Sequence, residues 1–528
     1  MQTRSCSIVA VRGLARHHKS AKSVLNLCGE PRSGAVTLFK CFTSALLLSA
    51  CTVGPDFSSP PPPTINSLTP MPLSNPAVHG PKQVYISGMD IPRRWWELFH
   101  CEVLNSLVAR GIERNPDLEA ARATLRVADA NTQAARGGYF PQISANAGPS
   151  WQKPGPAQGQ SPGLGTSPYT IATGQVSVSF MPDVFGLNRR RVESLSAQAE
   201  AQYFEVEAAY LTLTSRLALA AIEEASLREE IKFGELNITV ATDVLALLRR
   251  QSNVNEATRI DVAAQDVTLS QFERTLQSLR KQLATNRDLM AALTGGFAGE
   301  GLPEKFEFSC LHLPANLPLS LPASLVRQRP DVRAAEANMH AATAEVGVAI
   351  ANRFPQFNLT ANAGASALAK IAGAATPFLF WTVAGSAAQT LFDGMSSQQR
   401  QRAAEAGLDR SAALYRSTVL AAFQNVADVL QTIETDRKLF VAADRGVKAA
   451  RVNLDLTRRL LAQRLASVLQ VLSAQEMHAR ARSAHAQAKA ALRADTVLLF
   501  QALGGGWNSS SDAQDGTRWA TEVTRFSE

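Results

Sequence analysis

The sequence predicts an internally duplicated α+β fold in which each half carries a short helical lead, a β-hairpin and a pair of very long coiled-coil helices. Three observations predict it: the placement of proline, a repeated pair of punctuating motifs, and a hydrophobic period of 3.5 in the proline-free tracts. With 528 residues, 45% hydrophobic and 19% charged, the chain is long and apolar enough to bury a large core. Its formal net charge is +8. The basic residues alternate with Glu and Asp along Ala-rich segments, so they read as solvated helix faces and no nucleic-acid partner is expected.

Proline is dense from Pro55 to Pro92, recurs from Pro141 to Pro182 and from Pro303 to Pro330, and ends with Pro355 and Pro377. None occurs between Pro182 and Pro303 or after Pro377. Proline breaks helix interiors, so these two tracts are where long helices are permitted.

The duplication is carried by motifs. Pro116-Asp117 precedes Phe140-Pro141-Gln142, and Pro330-Asp331 precedes Phe354-Pro355-Gln356, both pairs 214 residues apart. Each half then runs through an alternating segment and a Phe/Asp/Gly turn, Asp183-Val184-Phe185-Gly186 or Leu391-Phe392-Asp393-Gly394. A long tract follows and ends in Ala292-Leu293-Thr294-Gly295 or Ala502-Leu503-Gly504-Gly505. The expected organisation is a signal peptide at 1–50, a Pro-rich extended segment at 51–92 and a first repeat at 93–302 with a hairpin near 140–182 and a helix pair at 187–293. A linker at 303–328, a second repeat at 329–507 with a hairpin near 355–391 and a helix pair at 396–503, and a polar tail at 508–528 complete it.

Within the tracts, Leu269, Phe272, Leu276, Leu279, Leu283, Asn286, Met290 and Leu293 step by threes and fours, as do Leu408, Ala412, Tyr415, Val419, Ala422, Val426, Val429 and Ile433. That period predicts paired, left-handed supercoiled helices. At 1.5 Å per residue a tract such as 397–463 would extend about 100 Å. Ile143 to Ala147, Gln175 to Phe180 and Leu359 to Ala363 instead alternate apolar with small polar residues, the mark of strands with unlike faces. On periodicity alone a half-buried soluble sheet is slightly favoured over a membrane barrel.

No run of eighteen apolar residues occurs, so no helical membrane span is expected. Phe42 to Ala50 forms a short apolar core after Arg32 and Lys40, flanked like a signal peptide. Leu48-Ser49-Ala50-Cys51 resembles the lipobox of bacterial lipoproteins, which implies cleavage before Cys51 and a diacylglycerol and an N-acyl chain on that residue. The alternative is an ordinary signal peptide with an incidental cysteine. Residues 1 to about 35 are unlike an n-region and point to an over-called translation start. Cys6, Cys28 and Cys41 leave with the signal; Cys101 and Cys310, far apart in sequence, make no framework and are read as more often unpaired.

No phosphate loop, nucleophile elbow, HExxH or CxxC pair is present. His478 and His485, seven apart on one helix face, and Cys310 near His312 are read as structural and not as metal ligands. No catalytic residue and no cofactor beyond the lipid on Cys51 is expected.

These residues together resemble the TolC-like outer-membrane factors, in particular the NodT-family efflux lipoproteins. The matching segments are Cys51 to Phe57, Trp95-Trp96-Glu97-Leu98-Phe99, Asn115-Pro116-Asp117-Leu118, Leu321-Pro322 through Arg329 to Glu336, Leu391 to Gly394, and Ala502 to Trp507. The resemblance implies a homotrimer in which each chain gives four strands to a twelve-stranded barrel continued by a helical tunnel. It implies outer-membrane lipid, a periplasmic adaptor and an inner-membrane RND-type pump as partners, with passive passage of drugs or other toxic compounds. Physics points the same way, since four strands leave open edges that lipid does not tolerate. Under this reading Ser144, Asn146, Thr360 and Asn362 face the lumen.

The resemblance also places a periplasmic gate at the helix-pair turns, Asn253 to Asp261 and Gln463 to Ser473. Asp261 is kept, but Gln470 and Ser473 stand where the family has aspartates and Arg464 where glycine is common. The gate is therefore assigned to polar contacts among Asp261, Arg464, Gln470 and Ser473. Cys101 also departs from the family, which usually has an acidic residue there. The rival reading is a lipid-anchored periplasmic coiled-coil scaffold without a pore.

Overall fold

The computed structural model describes residues 52–61, 63, 83–153, 168–254, 258–319, 322–369 and 376–507. The signal segment, Cys51, most of the proline tether, the hairpin tips and the polar tail lie outside the described residues.

Both halves open on two helices, the second of which starts at proline. In the first, α1 (Glu102–Arg114) is followed by α2 (Pro116–Arg136); in the second, α5 (Pro322–Gln328) is followed by α6 (Pro330–Ala351). Proline at the first helical position sacrifices only an amide that would have no helical partner. The residue before it ties the helix start to the far end of its own repeat. Asn115 accepts a hydrogen bond from the Leu118 amide (2.9 Å) and donates to the Leu293 carbonyl (2.9 Å). Arg329 donates to the Ala502 carbonyl (2.9 Å). The repeated Pro-Asp motif is thus a closing contact within each half.

The hairpins are β2 (Gln142–Gln152) with β3 (Tyr169–Phe180), and β5 (Gln356–Ala369) with β6 (Thr376–Ala388). They lie side by side in one antiparallel sheet of order β2-β3-β5-β6. The Phe/Asp/Gly turns then start the long helices. Asp183 accepts from the Asn188 and Arg189 amides (3.0 and 2.8 Å), and Asp393 from the Ser397 amide (2.8 Å), each satisfying donors that a helix start leaves open.

The long helices match in length across the repeats: α3 (Leu187–Asn253) and α7 (Ser396–Ala462) have 67 residues each, α4 (Arg259–Leu293) and α8 (Val468–Ala502) 35 each. Every position of the two seams read from sequence is buried or half-buried, while most flanking positions are exposed. Helix α3 packs on α4, on α2 and across the repeat boundary on α6 and α8; α7 packs on α8 and α6.

A belt packs against the middle of α3 and the C-terminal ends of α4 and α8. Strand β1 (Val84–Ser87) pairs in parallel with β4 (Asn316–Leu319), which brings the segment before the first repeat beside the linker between repeats. Trp95, Phe99, Leu104, Leu217, Met290, Phe306 and Phe500 form its core. Here the expectation for the cysteines is corrected: Cys101 and Cys310 form a disulfide, with Cα atoms 5.2 Å apart. The pairing follows from the belt, where the His312 amide donates to the Phe99 carbonyl (3.0 Å) and sets the two segments side by side. Separation in sequence carries no information about that juxtaposition.

Candidate functional site

The four-stranded sheet has two faces of different chemistry. Residues paired across a sheet share a face. One row joins Ser144, Ser177, Asn362 and Thr382; its neighbours join Gln142, Ser179, Thr360 and Ala384, and Asn146, Gln175, Gly364 and Phe380. Ser144, Asn146, Thr360 and Asn362 therefore lie on a single, mainly polar face. Its hydroxyls bond along the wall, Thr173 with Ser366 at 2.8 Å and Ser179 to Asn358 at 3.3 Å.

The other face joins Ile143, Val178, Ala361 and Val383 in one row and Ala145, Val176, Ala363 and Trp381 in the next. Ile143, Trp381 and Val383 are each more than 70% exposed in the single chain. So much apolar surface on one sheet face needs an apolar cover. None of the four strands contains Asp, Glu, Lys or Arg, which suits strands bounded by lipid. Among the described helices none is long and apolar enough to cross a membrane.

The sheet also has two unpaired edges, β2 and β6, pointing in opposite directions. The β6 edge of one copy set beside the β2 edge of another would continue the antiparallel pattern, so repetition of the chain can remove the edges.

At the far end of the helices the gate candidates stand at two separate turns, each tied into a capping box. Asp261 accepts from the Thr258 amide at 3.0 Å and its own amide donates to the Thr258 hydroxyl at 3.1 Å. Gln470 accepts from the Ser467 amide at 2.8 Å and donates back to the Ser467 hydroxyl at 3.3 Å. Gln470 thus keeps the structural half of an acidic residue's job there without the charge. Arg464 has a left-handed backbone, φ 60°, the conformation that favours glycine. Ser473 is exposed one turn into α8.

One site escaped the sequence reading. Residues after Cys51 dock on α3 and α6: the Val53 amide donates to the Phe185 carbonyl (3.3 Å), and Phe57 stacks on His340 with ring centroids 4.5 Å apart. Arg190, almost wholly buried, donates to the Val53 carbonyl (3.2 Å) and Asp56 (2.7 Å), and pairs with Glu193 (2.8 Å). Burial opposes the Arg190 charge, but the Asp56 and Glu193 carboxylates outweigh it and hold its pKa above the ordinary value. A Cβ on Gly54 would meet the Gly347 Cα at 2.5 Å, so backbone lies directly on backbone. In sequence Cys51 to Phe57 stands out only as a matching segment, and the run Arg189 to Arg191 reads as solvated charge.

Among the described residues, no group of three or more His, Cys, Asp or Glu is placed to hold a metal. His478 and His485 sit apart from such a set, the His485 ring lying tilted against Phe440 with centroids 5.3 Å apart.

Comparison with known proteins agrees with this geometry. The outer membrane efflux protein family model matches residues 107–296 and 321–505, one match per repeat. The pyoverdine export outer membrane protein OpmQ of Pseudomonas putida is 26% identical over 473 residues, covering 88% of this chain and 97% of its own. Nodulation protein T of Rhizobium leguminosarum bv. trifolii is 25% identical over 474 residues, covering 89% of this chain and 97% of its own. The solved outer-membrane channel OprN superposes with a TM-score of 0.76 at 27% identity, over 87% of this chain and all of that one. The Campylobacter jejuni CmeC channel, at 18% identity and TM-score 0.76 over 89% of this chain and 98% of its own, shares the fold. With both repeats matched and a sheet and helix pairs of this form, the chain belongs to the outer membrane efflux protein family.

Proposed function

We propose that the chain is the outer-membrane duct of a tripartite efflux pump. Three copies close β2 edges on β6 edges into a twelve-stranded barrel, and their helix pairs form a tunnel through the periplasm. An adaptor joins the tunnel to an inner-membrane RND-type transporter that supplies the energy, and small toxic compounds leave by passive diffusion. No step is catalysed by this protein. The observation that carries the reading is the uncharged, two-faced sheet with two open edges standing on helices of 67 residues, a span of about 100 Å.

Two copies would close only a narrow barrel filled by side chains, whereas three leave a lumen. Ser144, Asn146, Thr360 and Asn362 line it. Asp261, Arg464, Gln470 and Ser473 make the polar contacts that narrow the other end. Cys51 carries the diacylglycerol and N-acyl chains. In support, its neighbour Thr52 lies against Gly186 and accepts from Arg189 (2.7 Å), close to where β3 ends and therefore at the foot of the sheet, where a lipid-anchored residue would meet the membrane surface.

Single-channel recording of the purified protein in a planar bilayer tests the reading. Discrete conductance steps from a heat-modifiable trimer are expected; a stable trimer that never conducts, even with the gate residues replaced, would leave the scaffold without a pore.

A further inference from the structure

The polar face changes character toward the hairpin tips. Near the base its residues are Gln142, Ser144, Ser179 and Thr360, but nearer the tips β6 puts Phe378 and Phe380 on it, and β3 puts Ile171 and Tyr169. Alternation along a strand fixes this assignment: Leu379 and Trp381, between and beside the two phenylalanines, belong to the opposite, apolar face. Opposite Phe380 stands Gly364, which offers no side chain to cover the ring. A Cβ there would meet the Gly174 carbonyl oxygen at 2.4 Å, so nothing larger fits. Opposite Phe378 is Ser366, whose hydroxyl is engaged with Thr173 (2.8 Å). Phe378 is 53% exposed and Phe380 half-buried.

A water-filled barrel wall has no need of phenyl rings, and the exposure of Phe378 to water is unfavourable. With no ionic side chain on any of the four strands, this wall has no charge with which to hold a solute. What it offers is ring faces, which attract apolar surfaces and weakly hydrated cations.

We propose that Phe378 and Phe380, with Ile171 and Tyr169 of β3 in the rows nearer the tips, form an aromatic collar just inside the outer mouth that binds aromatic solutes, neutral or singly cationic, as they leave. The proposal rests on the channel reading above. Repeated in each copy, the rings converge on the lumen, and a bulky aromatic ion held there obstructs the current of small ions.

The test uses the full-length trimer in a planar bilayer with tetraphenylphosphonium added on the side of the hairpin tips. It is expected to block the wild-type current, and the double variant Phe378→Ser/Phe380→Ser to need roughly tenfold more for the same block. Tetraethylammonium, of equal charge without rings, is expected not to block either. Equal block of both proteins, or block by tetraethylammonium at the same concentration, overturns the collar. Should the serine variant fail to assemble, Phe378→Leu/Phe380→Leu keeps apolar bulk without rings and is expected to lose the block as well. If the wild type does not conduct, equilibrium dialysis of the same cation against purified protein separates the two ideas. Binding that depends on the phenylalanines keeps the collar while the channel reading fails; binding that ignores them, or its absence, ends the collar.

Discussion

Asp495 of α8 faces Asp436 of α7 inside the belt, with the Asp495 side chain almost fully buried. Burial, and then the charge of Asp436 and its hydrogen bond, push the Asp495 carboxyl up to about 7. The neighbouring groups from the other elements are Glu434 and Arg437 on α7 and Tyr85 on β1; Arg437 reaches the Gln83 carbonyl (3.4 Å) and lies 6.0 Å from the Tyr85 ring. In the first repeat another buried carboxylate is held by cations instead, Glu224 lying between Arg228 (2.6 Å) and Arg287 (2.8 Å).

A carboxyl whose folded pKa is raised favours the folded state while it stays protonated. That contribution is fully present below the ordinary carboxyl value near 4 and is lost as pH rises through about 7. Asp495→Asn, neutral at every pH, is therefore expected to be more stable than wild type at pH 8 by roughly 1–2 kcal/mol and to match it near pH 4. Thermal unfolding followed by circular dichroism across that range checks it; an unchanged pH slope in the variant would assign the slope to other groups.

The Cys101–Cys310 disulfide joins the start of α1 to the linker across a separation of 209 residues, enclosing all of the first repeat after Cys101. Cross-linking so long a loop restricts the unfolded chain, and removal of a native disulfide costs on the order of 2–5 kcal/mol. The variant Cys101→Ala/Cys310→Ala is expected to unfold at lower denaturant in oxidising buffer, by an amount that reductant reproduces in wild type and does not increase in the variant. If reductant lowered both proteins equally, the disulfide would not be the source.

Much of this fold could be read from the chain because its signals are local. Proline placement, the seam from Leu269 to Leu293 and the alternation around Ile143 and Leu359 each act over a few residues, and they located helices, strands and the face of Asn146 and Asn362. The belt was not legible, since β1 meets β4, and Cys101 meets Cys310, only after the helices have packed. Nor was Arg190, because a buried arginine and a solvated one look alike until the strap beside it is known. Gln470 shows a subtler limit: the sequence revealed the missing charge, but not that the amide still closes the helix cap.

That cap separates two roles at the gate. Gln470→Ala removes the bond to the Ser467 amide and is expected to destabilise the α8 start by about 1 kcal/mol, whereas Gln470→Asp retains a carboxylate that can accept it. Arg464→Gly relaxes the left-handed backbone and is expected to stabilise the turn by roughly 1 kcal/mol relative to Arg464→Ala. If Arg464 helps to close the pore, both of its variants raise conductance and alter drug tolerance alike, despite their opposite effects on the turn. Conductance that followed turn stability instead would make Arg464 a backbone residue only, and no change in either measure would remove it from the gate.

Arg190 supports the strap through several acceptors at once, and its replacement tests whether the segment behind the lipid anchor is held or merely adjacent. Arg190→Ala leaves the Val53 carbonyl without its donor in a crowded site, where Gly54 already rests on Gly347, while the exposed Asp56 carboxylate turns to water. A hydrogen bond to a charged partner contributes about 1.5–3 kcal/mol, and the local opening of a short strap has little else opposing it. The strap is therefore expected to detach while the helices stay folded. Protease susceptibility within residues 52–61 should rise at least tenfold with an unchanged melting temperature for the rest of the chain. Arg190→Lys keeps the charge but not the planar fork that spans Val53 and Asp56, so it should restore protection only in part. Complete protection in Arg190→Ala would mean that the Phe57–His340 stack and the glycine contact suffice alone; Phe57→Ala would then expose the strap where Arg190→Ala did not.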